Sequence, residues 1–167
     1  MKEEKLTIYF KVTNENGYQS IGRRFLMFKG GKLTETTGLK LYSANSNMTS
    51  AYNLLTLEPQ MINSDSLIRD IQEFQPDTSF TNLSLNWVSP SGCTFVRLND
   101  FDYGNASGST VKAGYQVGTK LTEIAGISVG NIFIIKVSRA PEETYVLLKI
   151  NNIIDNQGTE MISMNFR

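Results

Sequence analysis

Two segments near the end of the chain are apolar on both faces. The stretch NIFIIKVSRAPEETYVLLKINNIID, residues 131–155, reads as a strand, a turn and a second strand. Ile132 to Ile135 form an unbroken apolar run. Further on, Val146, Leu148 and Ile150 share one face, and Tyr145, Leu147 and Lys149 the other. After a turn at residues 155–158, Ile162, Met164 and Phe166 alternate with Ser163 and Asn165. The pattern predicts a three-stranded antiparallel meander. Strands apolar on both faces belong at the centre of a sheet, and alternating ones nearer an edge.

At the other end, Leu6, Ile8, Phe10 and Val12 alternate with Thr7, Tyr9 and Lys11. This period of two predicts a half-buried strand. The pair Asn16-Gly17 is a hairpin signal, so residues 18–28 return as the partner strand and end at Gly30-Gly31. Short apolar runs at 52–57, 82–88 and 94–98 add strand candidates. The one helical pattern is at residues 64–74. Ser64 is placed to cap it, Asp65 falls in its first turn, and Leu67, Ile68, Ile71 and Phe74 share a face. Pro76 marks its end. Residues 99–109, NDFDYGNASGS, read as a polar loop, and 111–120 as a strand loosened by Gly114 and Gly118.

About nine or ten strand candidates recur at roughly 8–12-residue spacing. Together they predict an all-β fold: an antiparallel two-sheet β-sandwich with one short helix at 64–74, in a single domain over residues 1–167. A chain of 167 residues buries about 70% of its unfolded surface, so no metal or disulfide is needed for folding. The 40% apolar and 19% charged content is that of a globular protein.

Charge narrows the partners. Lys plus Arg and Asp plus Glu are 16 each, and the longest basic run is Arg23-Arg24. There is no basic footprint for nucleic acid and no electrostatic pull toward an anionic membrane. No apolar run is long enough to span a membrane. The single cysteine, Cys93, rules out an intramolecular disulfide and reads as a small buried apolar residue. The start, MKEEKLTIYFKV, does not have the form of a signal peptide, so the expectation is a cytosolic chain or one trimmed of its leader.

The chain contains no histidine, which removes Ser-His-Asp and Cys-His catalysis and His-based zinc and haem sites. Gly31-Lys32-Leu33 lacks the hydroxyl of a phosphate loop. The run from Asp100 to Asn105 has its glycine one place early for a calcium loop, and Val111 stands where the bidentate Glu belongs. No cofactor or metal site is expected. The best binding candidates are the loop residues Asp100, Asp102, Tyr103 and Asn105, with Tyr115 and Trp87 as further aromatic surfaces. For Trp87 a place in the core is the competing reading. Asn47, Asn82 and Asn105 each begin an N-glycosylation pattern, which matters only in a glycosylating pathway.

The segments TGLKLYSANSNMTSAYNLLTL and SVGNIFIIKVSRAPEETYVLLKINNIIDNQG resemble the layout of uncharacterised exported β-sandwich domains of Bacteroidetes. Gly38 and Tyr42 match a Thr-Gly-x-x-Tyr step with one extra residue. Val129, Gly130 and Lys136 match one closing strand, and Tyr145, Lys149 and Ile150 the next. The likeness covers about half the chain, and its motifs are structural. It implies a cell-envelope or extracellular location, the protein being either secreted or held by a lipid anchor outside the chain shown. The function expected is a non-enzymatic module that binds a glycan or a protein through its loops, with residues 99–109 as the first loop to suspect. Two alternatives stay open: a carboxylate-based glycan-active enzyme, and a structural protein of a phage or appendage. A cytoplasmic location is the alternative to export.

Overall fold

The computed structural model describes residues 4–28, 31–74, 82–155 and 160–167. Strands β1 (Glu4–Thr13) and β2 (Gln19–Phe28) form the opening hairpin. They pair in antiparallel register from Glu4↔Phe28 to Thr13↔Gln19. Asn14 organises the turn: its side-chain oxygen accepts from the amides of Asn16 and Tyr18, and Gly17 takes φ +79°. The hairpin is a two-stranded sheet of its own among the described residues. At its tip Val12, Tyr18 and Ile21 are exposed, so the half-burial expected of β1 is not found there.

Two five-stranded antiparallel sheets make up the body. The first runs β3 (Thr36–Tyr42), β12 (Met161–Phe166), β11 (Thr144–Ile154), β10 (Ile132–Val137), β8 (Thr94–Arg97). The second runs β5 (Glu58–Gln60), β4 (Ala51–Asn53), β6 (Ile71–Glu73), β7 (Trp87–Val88), β9 (Glu123–Ile124). The fold is thus the two-sheet all-β sandwich, with a single α-helix among the described residues. That helix, α1, spans Gly108–Val117. The predicted turn at 155–158, apart from Asp155, and the residues around Gly30 and Pro76 fall outside the described set.

The double-faced apolar strands now have a cause. Phe133, Ile135, Val137, Val146, Leu148 and Ile150 belong to the main core, with Trp87, Ile71 and Ile124 from the second sheet. Ile132, Ile134 and Leu147 alternate to the opposite face, where they join Val96 and the helix residues Val111 and Tyr115 in a second core. Strands β10 and β11 are the middle layer of three, so both faces are covered over Ile132 to Ile135 and Val146 to Leu148. Each such Ile, Leu or Phe contributes roughly 1.5–3 kcal/mol over exposure. The hairpin closes two cores at once.

The helix lies elsewhere than the periodicity suggested. Within 64–74 the chain forms only a 3₁₀ turn, Ser66–Ile68, capped by Asp65, and then strand β6. Leu67 and Phe74 are exposed, so the expected apolar face does not form. Instead Ile71, Gln72 and Glu73 are all buried between β4 and β7, a tertiary pairing that overrides the local period. The real helix replaces the strand read at 111–120. Ser107 caps it reciprocally with Thr110, and Val111 and Tyr115 bury one helical face. Gly114 does not loosen a strand; it lets the helix lie against the sheet, since a Cβ there would sit 2.8 Å from Ile134 Cδ1.

Two buried carboxylates tie the layers. Asp70 accepts from the Leu54 amide (2.7 Å), the Ser91 hydroxyl (2.7 Å) and the Arg139 guanidinium. Glu73 accepts from the Ala44 amide (2.8 Å) and from the amide and hydroxyl of Ser84 (2.6 and 2.7 Å). Neither is accessible to a ligand, and both are held as acceptors.

Candidate functional site

Tyr145, near the start of β11, and Arg167, just past β12, line two adjoining clefts. One, of about 240 Å³, also takes in Thr36, Leu54, Leu57 and Phe166. The other, of about 350 Å³, takes in Gly108, Val111, Lys112, Glu143 and Thr144. The sheet register brings the two shared residues together. Leu147 and Arg167 exchange backbone hydrogen bonds of 2.9 and 2.8 Å, which places Arg167 beside the β11 strand that carries Tyr145.

Each side chain is braced. The Tyr145 ring lies 5.0 Å from the Tyr115 ring at 54°, so α1 supports it from behind. Arg167 donates to the Leu33 carbonyl and to Glu35 Oε2, both at 3.0 Å, and its guanidinium lies 5.0 Å from the Tyr103 ring centre. Lys112 Nζ is 2.6 Å from Glu143 Oε2, and Lys136 Nζ is 3.4 Å from Glu143 Oε1.

These contacts set the charges. The hydrogen bond and charge of Lys112, then those of Lys136, hold the Glu143 carboxyl below its ordinary range, and Glu143 in turn raises Lys112. The hydrogen bond from Asn165, then Arg167, lowers Glu35 against the effect of burial. Burial, then the Glu35 charge, pushes the Tyr103 phenol well up. Glu143, Glu35 and Lys112 therefore stay ionised near neutral pH.

The residues singled out in the sequence are placed differently. Trp87 is fully buried in the main core against Phe133, which takes it out of any surface ligand face. Tyr103 and Tyr115 are buried in the second core. They underlie the clefts, Tyr115 behind Tyr145 and Tyr103 beneath Arg167, without lining them. Asp102 and Asn105 are exposed but bonded to each other, the Asp102 carboxylate accepting from the Asn105 amide at 3.1 Å and side chain at 2.9 Å. Those bonds lower the Asp102 carboxyl and cap a 3₁₀ turn, Tyr103–Asn105. Asp100 sits apart, in a shallow depression of about 500 Å³ with Arg97, Phe101 and Val117. Residues 99–109 thus lead into α1 through this 3₁₀ turn, with Tyr103, Ala106 and Ser107 buried and Asn99, Asp100, Asp102, Gly104 and Asn105 exposed.

Sequence reading missed Lys112, Glu143, Thr144, Tyr145 and Arg167 as site residues. The Ser107-x-x-Thr110 box was the available signal, since a helix starting there puts Lys112 outward beside the 143–145 segment.

No cluster of metal-ligating side chains occurs among the described residues. Neither cleft at Tyr145 holds two carboxylates, and the one present, Glu143, is bound by two lysines. The Cys93 thiol is buried and pushed up by that burial, which leaves it unreactive. Among the described residues no helix is long and apolar enough to cross a membrane. No known protein family, curated protein or solved structure matches this chain.

Proposed function

We propose that this chain is a non-enzymatic binding module of the cell envelope or extracellular space, and that it takes a glycan in the clefts at Tyr145. The observation that carries the reading is the pair of adjoining clefts sharing a braced tyrosine and a fixed arginine. A tyrosine ring offers an apolar face to a sugar and a polar edge to water. Thr144, Lys112 and Glu143 supply donors and acceptors around it. The engaged state of Glu143 supports binding over hydrolysis, because glycoside cleavage needs two carboxylates facing one bond. The envelope location rests on the resemblance in the closing strands.

The test is to incubate the full chain with an oligosaccharide panel and measure both binding and products by mass spectrometry. Binding without cleavage supports the reading; cleavage, or binding to no sugar, overturns it.

A second reading, assembly with a protein partner, is favoured by one feature. The β1–β2 ribbon carries exposed Val12, Tyr18 and Ile21 at its tip and, among the described residues, pairs with neither large sheet. Unpaired strand edges of this kind template association. Sedimentation that shows only monomer at high concentration removes a self-assembling form of it.

A further inference from the structure

We propose that the clefts at Tyr145 take an acidic saccharide, a sugar carrying a carboxylate; this rests on the glycan-binding reading above. The chain as a whole is neutral, with 16 basic and 16 acidic residues. Around Tyr145 the balance is broken. Lys136 is its cross-strand partner on β10, and Lys112 faces it from α1. Arg167 and Lys149 flank the supporting Tyr103 ring, at 5.0 and 5.7 Å from its centre. Of these four cations Lys112 and Arg167 line the clefts, and they are paired with Glu143 and Glu35.

Their pairing leaves charge over. Glu143 is shared between Lys112 and Lys136, so one carboxylate answers two ammonium groups. Lys149 forms no ion pair among the described residues. Lys112 is about half exposed, with a side-chain accessibility of 49%, and is free to swing from Glu143 to an incoming anion. Arg167 is nine-tenths buried and held by Glu35 and Leu33, so it is a fixed positive centre at the cleft floor.

The ligand chemistry follows. A sugar ring lying on Tyr145 shares its cleft with Lys112, Glu143 and Thr144. A neutral sugar finds hydroxyl partners in Thr144 and in Glu143, whose oxygens accept. A carboxylate adds a charge-assisted hydrogen bond to Lys112, roughly twice as strong as a neutral one. Lys136 keeps Glu143 paired when Lys112 turns away, so the exchange leaves no carboxylate without a cation.

The experiment compares matched probes on the full chain: oligogalacturonate and oligoglucuronate, each against its methyl ester, by titration calorimetry at low and high salt. The acid form is expected to bind about tenfold tighter than its ester, with the advantage shrinking at high salt. Lys112→Gln is expected to remove most of that advantage, bringing acid and ester to similar affinities, while the unfolding temperature holds. Equal affinity for acid and ester overturns the acidic specificity and leaves the glycan reading standing. Binding of neither form, with neutral sugars bound elsewhere in a wider panel, does the same. Binding of no sugar at all overturns both.

Discussion

Arg139 and Asp70 are joined by two parallel hydrogen bonds, Nε to Oδ1 at 3.0 Å and Nη2 to Oδ2 at 2.7 Å, across the two sheets. Arg139 sits in the β10–β11 turn and Asp70 directly precedes β6, and Arg139 also reaches Asn53 on β4. The turn that closes the most apolar hairpin is thereby bolted to the opposite sheet. Asp70 is fully buried while the Arg139 side chain is a quarter exposed. Arg139→Met is expected to leave the buried carboxylate uncompensated and cost about 3 kcal/mol in urea unfolding, the low end for a broken buried pair because Arg139 is partly solvated. The double variant Asp70→Leu with Arg139→Met should recover most of that loss. A single-variant cost under about 1 kcal/mol would mean that the pair does not hold the layers together.

Close packing of α1 on the first sheet makes a sharper prediction. Gly118 has an ordinary φ of −76°, so conformation does not demand glycine. Space does: a Cβ there would lie 2.0 Å from Val96 Cγ1, and Val96 is fully buried. Gly118→Ala should cost roughly 1–3 kcal/mol by overpacking. Gly104→Ala, whose nearest contact would be 3.6 Å, should be tolerated. Equal melting temperatures for the two variants would contradict this packing.

These two cases show what was legible in the sequence. The run Ile132 to Ile135 and the alternating Val146, Leu148 and Ile150 announced two-faced central strands, because burial on both sides leaves no room for polar residues. Asn16-Gly17 announced its turn, because only a few residues accept that backbone. Gly114 and Gly118 misled, since a glycine chosen for helix-to-sheet contact looks locally like a breaker. Ile71 misled in the opposite sense: its pairing with Tyr52 is a long-range contact that no local period reveals. The candidate site was illegible for the same reason, because Tyr145 and Arg167 meet only through the β11–β12 register.

The segment at 99–109 should behave as core. Tyr103 and Ala106 are buried, and Ser107 begins the capping box. Ser107→Ala should cost about 1 kcal/mol and Tyr103→Ala about 3 kcal/mol. Deleting residues 99–105 should unfold the chain. If that deletion melted at the same temperature as the intact chain, the loop would be a solvated appendage after all.

Stability should fall in alkali. Burial raises the Tyr52 and Tyr103 phenols and the Cys93 thiol above their ordinary values. The folded chain then keeps protons that the unfolded chain has released. Stability is therefore full below the unfolded values and declines as pH rises past about 8.5 for the thiol and about 10 for the phenols. The Tyr103 hydroxyl is buried and makes no hydrogen bond of good geometry. Tyr103→Phe should thus be neutral at pH 7 and flatten the alkaline decline, as read from urea midpoints across pH. An unchanged slope in the variant would assign the decline to other groups.

The central claim is that ligand meets the chain at Tyr145 and Arg167. The most direct measurement is an amide chemical-shift titration of the full chain with oligogalacturonate. Perturbations concentrated at Lys112, Glu143, Thr144, Tyr145 and Arg167 are the predicted result. Shifts confined to Asp100, Asp102 and Asn105 or to the hairpin tip, or no shifts at any concentration, would contradict it.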